Sequence, residues 1–218
     1  MYFSEDETRR LNARIRQLEE NTGVEVVTAV VGKCDNYPEI PWKAFALGVA
    51  FSTLALLLQA MLRPAWLSSY SALVHAIIVL GVGTSMALLT AAWSGWARCF
   101  LDRTRAESEM RQYAQSLFFE HEVFATQDRT GLVILVGLFE RQVVILTDSG
   151  LDARLPSGAL QTVVAAMTPD LKRGDRFRAL KRGLSVIAES LRLAGFEPTV
   201  DGTDQIPEAL IQQKGEAE

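Results

Sequence analysis

The chain has 218 residues, 49% of them hydrophobic, with 22 Lys and Arg against 26 Asp and Glu for a formal net charge of −4. That balance argues against nucleic acid as a partner, which needs a basic face, and two cysteines in the whole chain rule out a disulfide-stapled scaffold. The apolar residues are concentrated: from Ala44 to Trp96 the only Asp, Glu, Lys or Arg is Arg63. What remains, roughly 165 residues, suits one domain.

Ser4-Glu5-Asp6-Glu7 has capping-box order, and Leu11, Ile15 and Leu18 follow at helical spacing. A helix is expected from about Glu5 to Asn21, ended by Thr22-Gly23. This opening is too polar and charged for a cleavable signal peptide. Val24 to Val31 is rich in β-branched residues and reads as a strand covered on both faces. Lys33 to Lys43, with Pro38 and Pro41, leads into the apolar region.

Two membrane spans are expected there. Ala44 to Leu62 has 19 residues without an ionisable group, which reaches roughly 28 Å at helical rise, close to the hydrocarbon thickness. Ala72 to Trp93 contains a single titratable group, His75, at its loop end. Trp42, Trp66, Tyr70, Trp93 and Trp96 flank the two, where rings lie among head groups. A buried soluble hairpin would keep a polar stripe, and neither segment has one. Gly48-x-x-x-Ser52 and Gly81-x-x-x-Ser85 offer close backbone approach, within the hairpin or between two copies. Lys33, Lys43, Arg98, Arg103, Arg105 and Arg111 lie outside the spans against Arg63 in the loop, so both soluble segments are expected in the cytoplasm. Cys34 and Cys99 lie just outside the spans; a reducing compartment needs no bridge between them, and small apolar side chains are a simpler reading than palmitoylation.

Beyond the spans, Asp102 to Phe124 carries an apolar stripe at helical period and reads as a crossover helix. Gly131 to Leu138 and Gln142 to Thr147 are apolar on both faces and read as an antiparallel hairpin turning at Phe139-Glu140-Arg141. Helices are expected at Ser157 to Met167 and Asp175 to Ala194. A basic cluster, Lys172, Arg173, Arg176, Arg178, Lys181 and Arg182, reads as a solvated face or as a contact for anionic lipid or phosphate. The tail is expected to be loosely ordered, with one short helix near Glu208 to Gln213.

Three ordered stretches resemble signatures of the TPM-domain, or TPM phosphatase-like, family: Glu19-Glu20-Asn21-Thr22-Gly23-Val24-Glu25-Val26-Val27, then Thr126-Gln127-Asp128-Arg129-Thr130-Gly131-Leu132-Val133-Ile134, then Glu140 to Leu151 (ERQVVILTDSGL). The resemblance covers Phe3 to about Pro198 apart from the apolar hairpin. It implies an α/β fold, an α/β/α sandwich around a small mixed sheet, here with a two-helix transmembrane hairpin inserted. Residues 1–43 and 98–198 would be the two halves of the domain, 44–97 the hairpin and 199–218 a polar tail. Members of the family include a plant thylakoid-lumen acid phosphatase, photosystem repair proteins and a receptor-modulating membrane protein, so the resemblance implies fold more firmly than chemistry. The chain departs from the common pattern in carrying its hairpin inside the domain.

The polar set at the strand ends is Asp128, Arg129, Glu140, Arg141, Asp148, Asp152 and Asp175. Carboxylates from separate loops can converge on a hard cation; the family's phosphatase and calcium-binding reports point first to Asp128 and Asp148 as ligands for Ca2+ or Mg2+, with Thr126, Arg129, Gly131, Glu140, Arg141 and Gly150 as the other motif positions. Ordinary turn hydrogen bonding accounts for the same residues without a ligand. No nucleophile stands out: Ser149 lacks the nucleophile-elbow surroundings, and neither His121 nor His75 has a partner at metal-binding spacing. The expected function is therefore a non-catalytic, membrane-tethered accessory or scaffold that binds a membrane protein complex, or a second copy of itself through the hairpin, and assists assembly or maintenance. The alternative is a metal-assisted acid phosphatase at the cytoplasmic face.

Overall fold

The computed structural model describes residues 2–62, 69–126, 128–197 and 210–213. In chain order the elements are α1 (Glu5–Thr22), β1 (Val26–Val31), α2 (Glu39–Leu62), α3 (Ser69–Ala92), α4 (Ser94–Ala97), α5 (Arg103–Glu120), β2 (Leu132–Gly137), β3 (Gln142–Thr147), α6 (Ser149–Asp152), α7 (Ala159–Lys172), α8 (Arg176–Leu193) and β4 (Leu210–Gln213). They fall into two compact units, one of Met1–Asp35 with Glu107–Glu218, the other of Asn36–Ala106.

The first unit is built on a four-stranded mixed sheet in the order β3-β2-β1-β4. β1 pairs parallel with β2, Val26 opposite Leu132 through Val31 opposite Gly137, and β2 pairs antiparallel with β3. Both β1 and β2 are buried along their whole length, which is why neither shows polar alternation. Side chains divide by strand parity. Val26, Val30, Leu132, Ile134 and Val136 pack with Leu11 and Ile15 of α1, Met167 of α7 and Leu184 and Ile187 of α8. Val27, Ala29, Val31, Val133 and Leu135 pack with Met110, Ala114 and Leu117 of α5. The result is an α/β/α arrangement in which a strand from before the apolar hairpin lies at the centre of the sheet.

The helix starts follow local chemistry. Ser4 caps α1 with the reciprocal Glu7 bond of a capping box, and Gly23 closes it in the left-handed conformation at φ 65°. Several elements differ from the sequence expectation: α2 starts at Glu39 and takes in Pro41, ahead of the expected Ala44, and α6 was not expected. α7 runs past Met167 to Lys172 with Pro169 inside it; the hydroxyl of Thr168 bonds back to the Val164 carbonyl at 2.7 Å, and Asp170 in the last turn is fully buried. The expected short helix near Glu208 to Gln213 is instead a strand: β4 pairs parallel with β1 from Thr28 opposite Leu210 to Val31 opposite Gln213. Leu210 meets one core and Ile211 the other, a period of two that four residues beside polar neighbours were too few to reveal. The rest of the expected loose tail lies outside the described residues.

The second unit contains two helices long and apolar enough to cross a membrane, Glu39–Leu62 and Tyr70–Ala92, with 11% and 6% of their most apolar windows buried by protein. Trp42, Tyr70 and Trp93 are exposed; Trp66 lies outside the described residues. α2 and α3 approach closely where a Cβ on Gly48 would come within 2.9 Å of the Gly83 Cα, and Ser52 beside it is buried, its hydroxyl bonded to the Gly48 carbonyl at 2.7 Å. Of the two small-residue pairs only Gly48/Ser52 is at this seam. Gly81 meets nothing within 4 Å and Ser85 is exposed.

Candidate functional site

The signature residues are gathered at two opposite ends of the sheet. At the end where β2 begins and β3 finishes, the loop 126–131 is folded against the start of α6. Thr126 Oγ1 accepts the Thr130 N–H at 3.0 Å, and the Thr130 hydroxyl donates to the Gly23 carbonyl at 3.3 Å, tying the loop to the end of α1. Arg129 has a positive φ of 54°. Its carbonyl accepts the amides of Gly150 at 3.0 Å and Leu151 at 3.2 Å, so the loop backbone serves as the partner that the first turn of a helix otherwise lacks. The approach leaves no room for side chains: a Cβ on Gly150 would be 2.1 Å from the Asp128 carbonyl oxygen, and one on Gly131 2.3 Å from that of Val123.

Asp148 completes this latch as the N-cap of α6. Its Oδ1 accepts the Ser149 N–H at 2.7 Å and the Ser149 hydroxyl at 3.3 Å. Its Oδ2 faces the Arg129 guanidinium at 3.7 Å, and the residue is only 8% exposed. Asp152 is exposed and accepts the Thr147 hydroxyl at 3.5 Å. Asp128 is exposed and joins the cluster through its backbone. One carboxylate oxygen thus caps an amide, while the other is buried without a hydrogen bond and faces the largely exposed Arg129 guanidinium at 3.7 Å; among the described residues no group of three or more His, Cys, Asp or Glu could hold a metal ion.

Glu140 and Arg141 lie at the other end, in the β2–β3 turn, and are not brought to Asp148. Glu140 is 7% exposed, and its Oε1 accepts the Cys34 amide at 2.8 Å. Gly137 makes room for it, since a Cβ there would sit 2.7 Å from Glu140 Oε2 and 2.9 Å from the Met110 sulfur. Leu138 and Phe139 donate to the carbonyls of Val31 and Gly32, and Arg141 takes φ 54° in the turn. Burial, reinforced by the charges of Glu140 and Glu109, pushes the Cys34 thiol far up, so it stays protonated and unreactive. The link between residues 106 apart in sequence had no signal in the sequence beyond a glycine just before the turn. Asp175 caps α8 through the Arg178 amide at 2.9 Å. His121 is half-buried in the turn after α5.

Residues 99–190 match the family model of the TPM domain. Over that stretch the chain is similar to the TPM domain family. The match takes in α5, the β2–β3 hairpin, the latch and most of α8, while β1 and β4, which complete the sheet, come from outside it. Among solved structures the chain is similar to the NMR structure of BA42 protein from the psychrophilic bacterium Bizionia argentinensis, with a TM-score of 0.57 at 13% identity over 97% of this chain and 96% of that one; at this identity the likeness concerns the fold. No curated protein matches the chain.

Proposed function

We propose that the chain is a membrane-tethered accessory module: a TPM domain carried on a two-span hairpin, with both soluble segments in the cytoplasm, that binds a membrane protein complex and assists its assembly or maintenance without catalysing a reaction. The observation that carries this reading is the use of the signature's polar groups. Asp148 caps α6 and faces Arg129, the Arg129 carbonyl holds the start of the same helix, and Glu140 closes the β2–β3 turn onto Cys34. Signature groups engaged in loop latches support a rigid presented surface. A tether supports partners in the same membrane, because it raises the local concentration of the domain near them. The sidedness rests on the excess of Lys and Arg beside the spans over the single Arg63 between them.

The test is a turnover assay of the full chain in detergent against a panel of phosphate esters, with and without Ca2+ and Mg2+, beside Asp148→Asn. Hydrolysis at the background rate, identical in the variant, is expected. Cation-dependent hydrolysis abolished by Asp148→Asn would establish the phosphatase reading instead.

A further inference from the structure

Between Asp170 and Asp175 and just beyond, unit one concentrates positive charge against the trend of the chain. Residues 170–182 hold six basic side chains and two acids, a net of +4 by difference, in a protein of net charge −4. The corner is rigid. The fully buried carboxylate of Asp170 faces Arg173 at 3.7 Å and Arg182 at 3.3 Å, joining the last turn of α7 to α8, while Arg178 pairs with the α8 cap Asp175 at 3.5 Å. The side chains of Arg173, Arg178 and Arg182 nevertheless remain 71%, 64% and 47% exposed, and Lys172 and Lys181 are exposed as well.

Contacts within the unit fix which end of the sheet this corner occupies. The Arg176 guanidinium lies 5.4 Å from the Tyr2 ring. The Tyr2 and Phe3 amides donate to the Gln212 side chain, and Gln212 is paired with Val30 near the last residue of β1. At that same end the chain leaves the unit, with the Cys34 amide bonded to Glu140, and re-enters it, with Met110 against Gly137. The Asp148 latch is at the opposite end, where β2 starts. The acids of the first α1 turn do not cancel the charge: Asp6 pairs with Arg10 at 2.9 Å, Glu7 closes the capping box, and Glu5 lines a groove with Arg9 and Gln212.

We propose that this corner docks on the phosphates of anionic lipid head groups in the bilayer that carries the hairpin. The inference rests on the membrane-tethered reading. The chain passes into and out of the tether from this end of the sheet, and separated cations on flexible stems match a diffuse sheet of negative charge, an attraction confined to about a Debye length and weakened by salt. Docking holds the domain in one orientation, with the latch end turned toward the cytoplasm.

The experiment reconstitutes the full chain in nanodiscs of phosphatidylcholine alone or with phosphatidylglycerol, and reads acetylation of Lys172 and Lys181 by an uncharged amine reagent, peptide by peptide. Phosphatidylglycerol should lower labelling of both lysines several-fold, high salt should restore it, and Arg176→Gln with Arg178→Gln should restore it at low salt. Arg16→Gln, on α1 outside the corner, should leave the protection unchanged. Equal labelling in the two lipids, or protection by inorganic phosphate in phosphatidylcholine discs, overturns the docking while the anchor stands. Extraction of the chain from membranes by alkaline carbonate overturns the tethered reading and the docking with it.

Discussion

Gly150 has no conformational need of glycine at a positive φ; it is fixed by what passes over it. An added methyl would meet the Asp128 carbonyl at 2.1 Å and that of Arg129 at 2.9 Å, and backbone on both sides cannot step aside as a flexible side chain would. Gly150→Ala is therefore expected to cost about 2–3 kcal/mol, in the range of overpacking damage, read as a lowered midpoint of thermal unfolding in detergent. Cys34 gives a second expectation. Iodoacetamide should label the exposed Cys99 in the folded chain and reach buried Cys34 only after denaturation. Because folding raises the Cys34 pKa, the native state keeps a proton that the unfolded chain loses above the usual thiol value of about 8.5. This group's contribution is level below that pH and falls above it, by at most about 1.4 kcal/mol per pH unit, and Cys34→Ala should remove the decline.

At the scale of elements, legibility in the sequence tracked local physics. The capping box of α1, the stripe of α8 and the doubly covered β1 and β2 were readable because capping and apolar patterning are written in neighbouring residues. β4 was not, because its four residues become a strand only by pairing with β1. The candidate site divided in the same way. That Asp148 sits at a turn was visible; that Glu140 reaches Cys34, and that Asp170 is buried against two arginines, depends on contacts between distant segments. Ile211 tests the strand assignment. It is 6% exposed against the α5 core, so Ile211→Ala should cost about 2 kcal/mol or more, against under about 0.5 kcal/mol for a surface helix position. Thr28 tests the sheet centre from the opposite direction. Its hydroxyl is buried with no hydrogen-bond partner among the described residues, and Thr28→Val should raise stability by about 1 kcal/mol by removing an unsatisfied group.

On the scale of the whole molecule, the insertion lies between two strands that are neighbours in one sheet. β1 ends at Val31 and β2, its parallel partner, begins at Leu132, so the two apolar helices lie within a single crossover, and both flanks of the hairpin must reach the same side of a membrane for the sheet to form. Two candidate spans, an even number, and the excess of basic residues outside them would meet that requirement. Labelling with a membrane-impermeant maleimide in intact cells tests this arrangement most directly, using the native Cys99 beyond the second apolar helix and Ser68→Cys introduced between the two helices in sequence. The expected result is that the cysteine at position 68 is modified in intact cells while Cys99 is modified only after lysis. Modification of Cys99 in intact cells, with position 68 protected until lysis, would contradict the cytoplasmic placement of the domain.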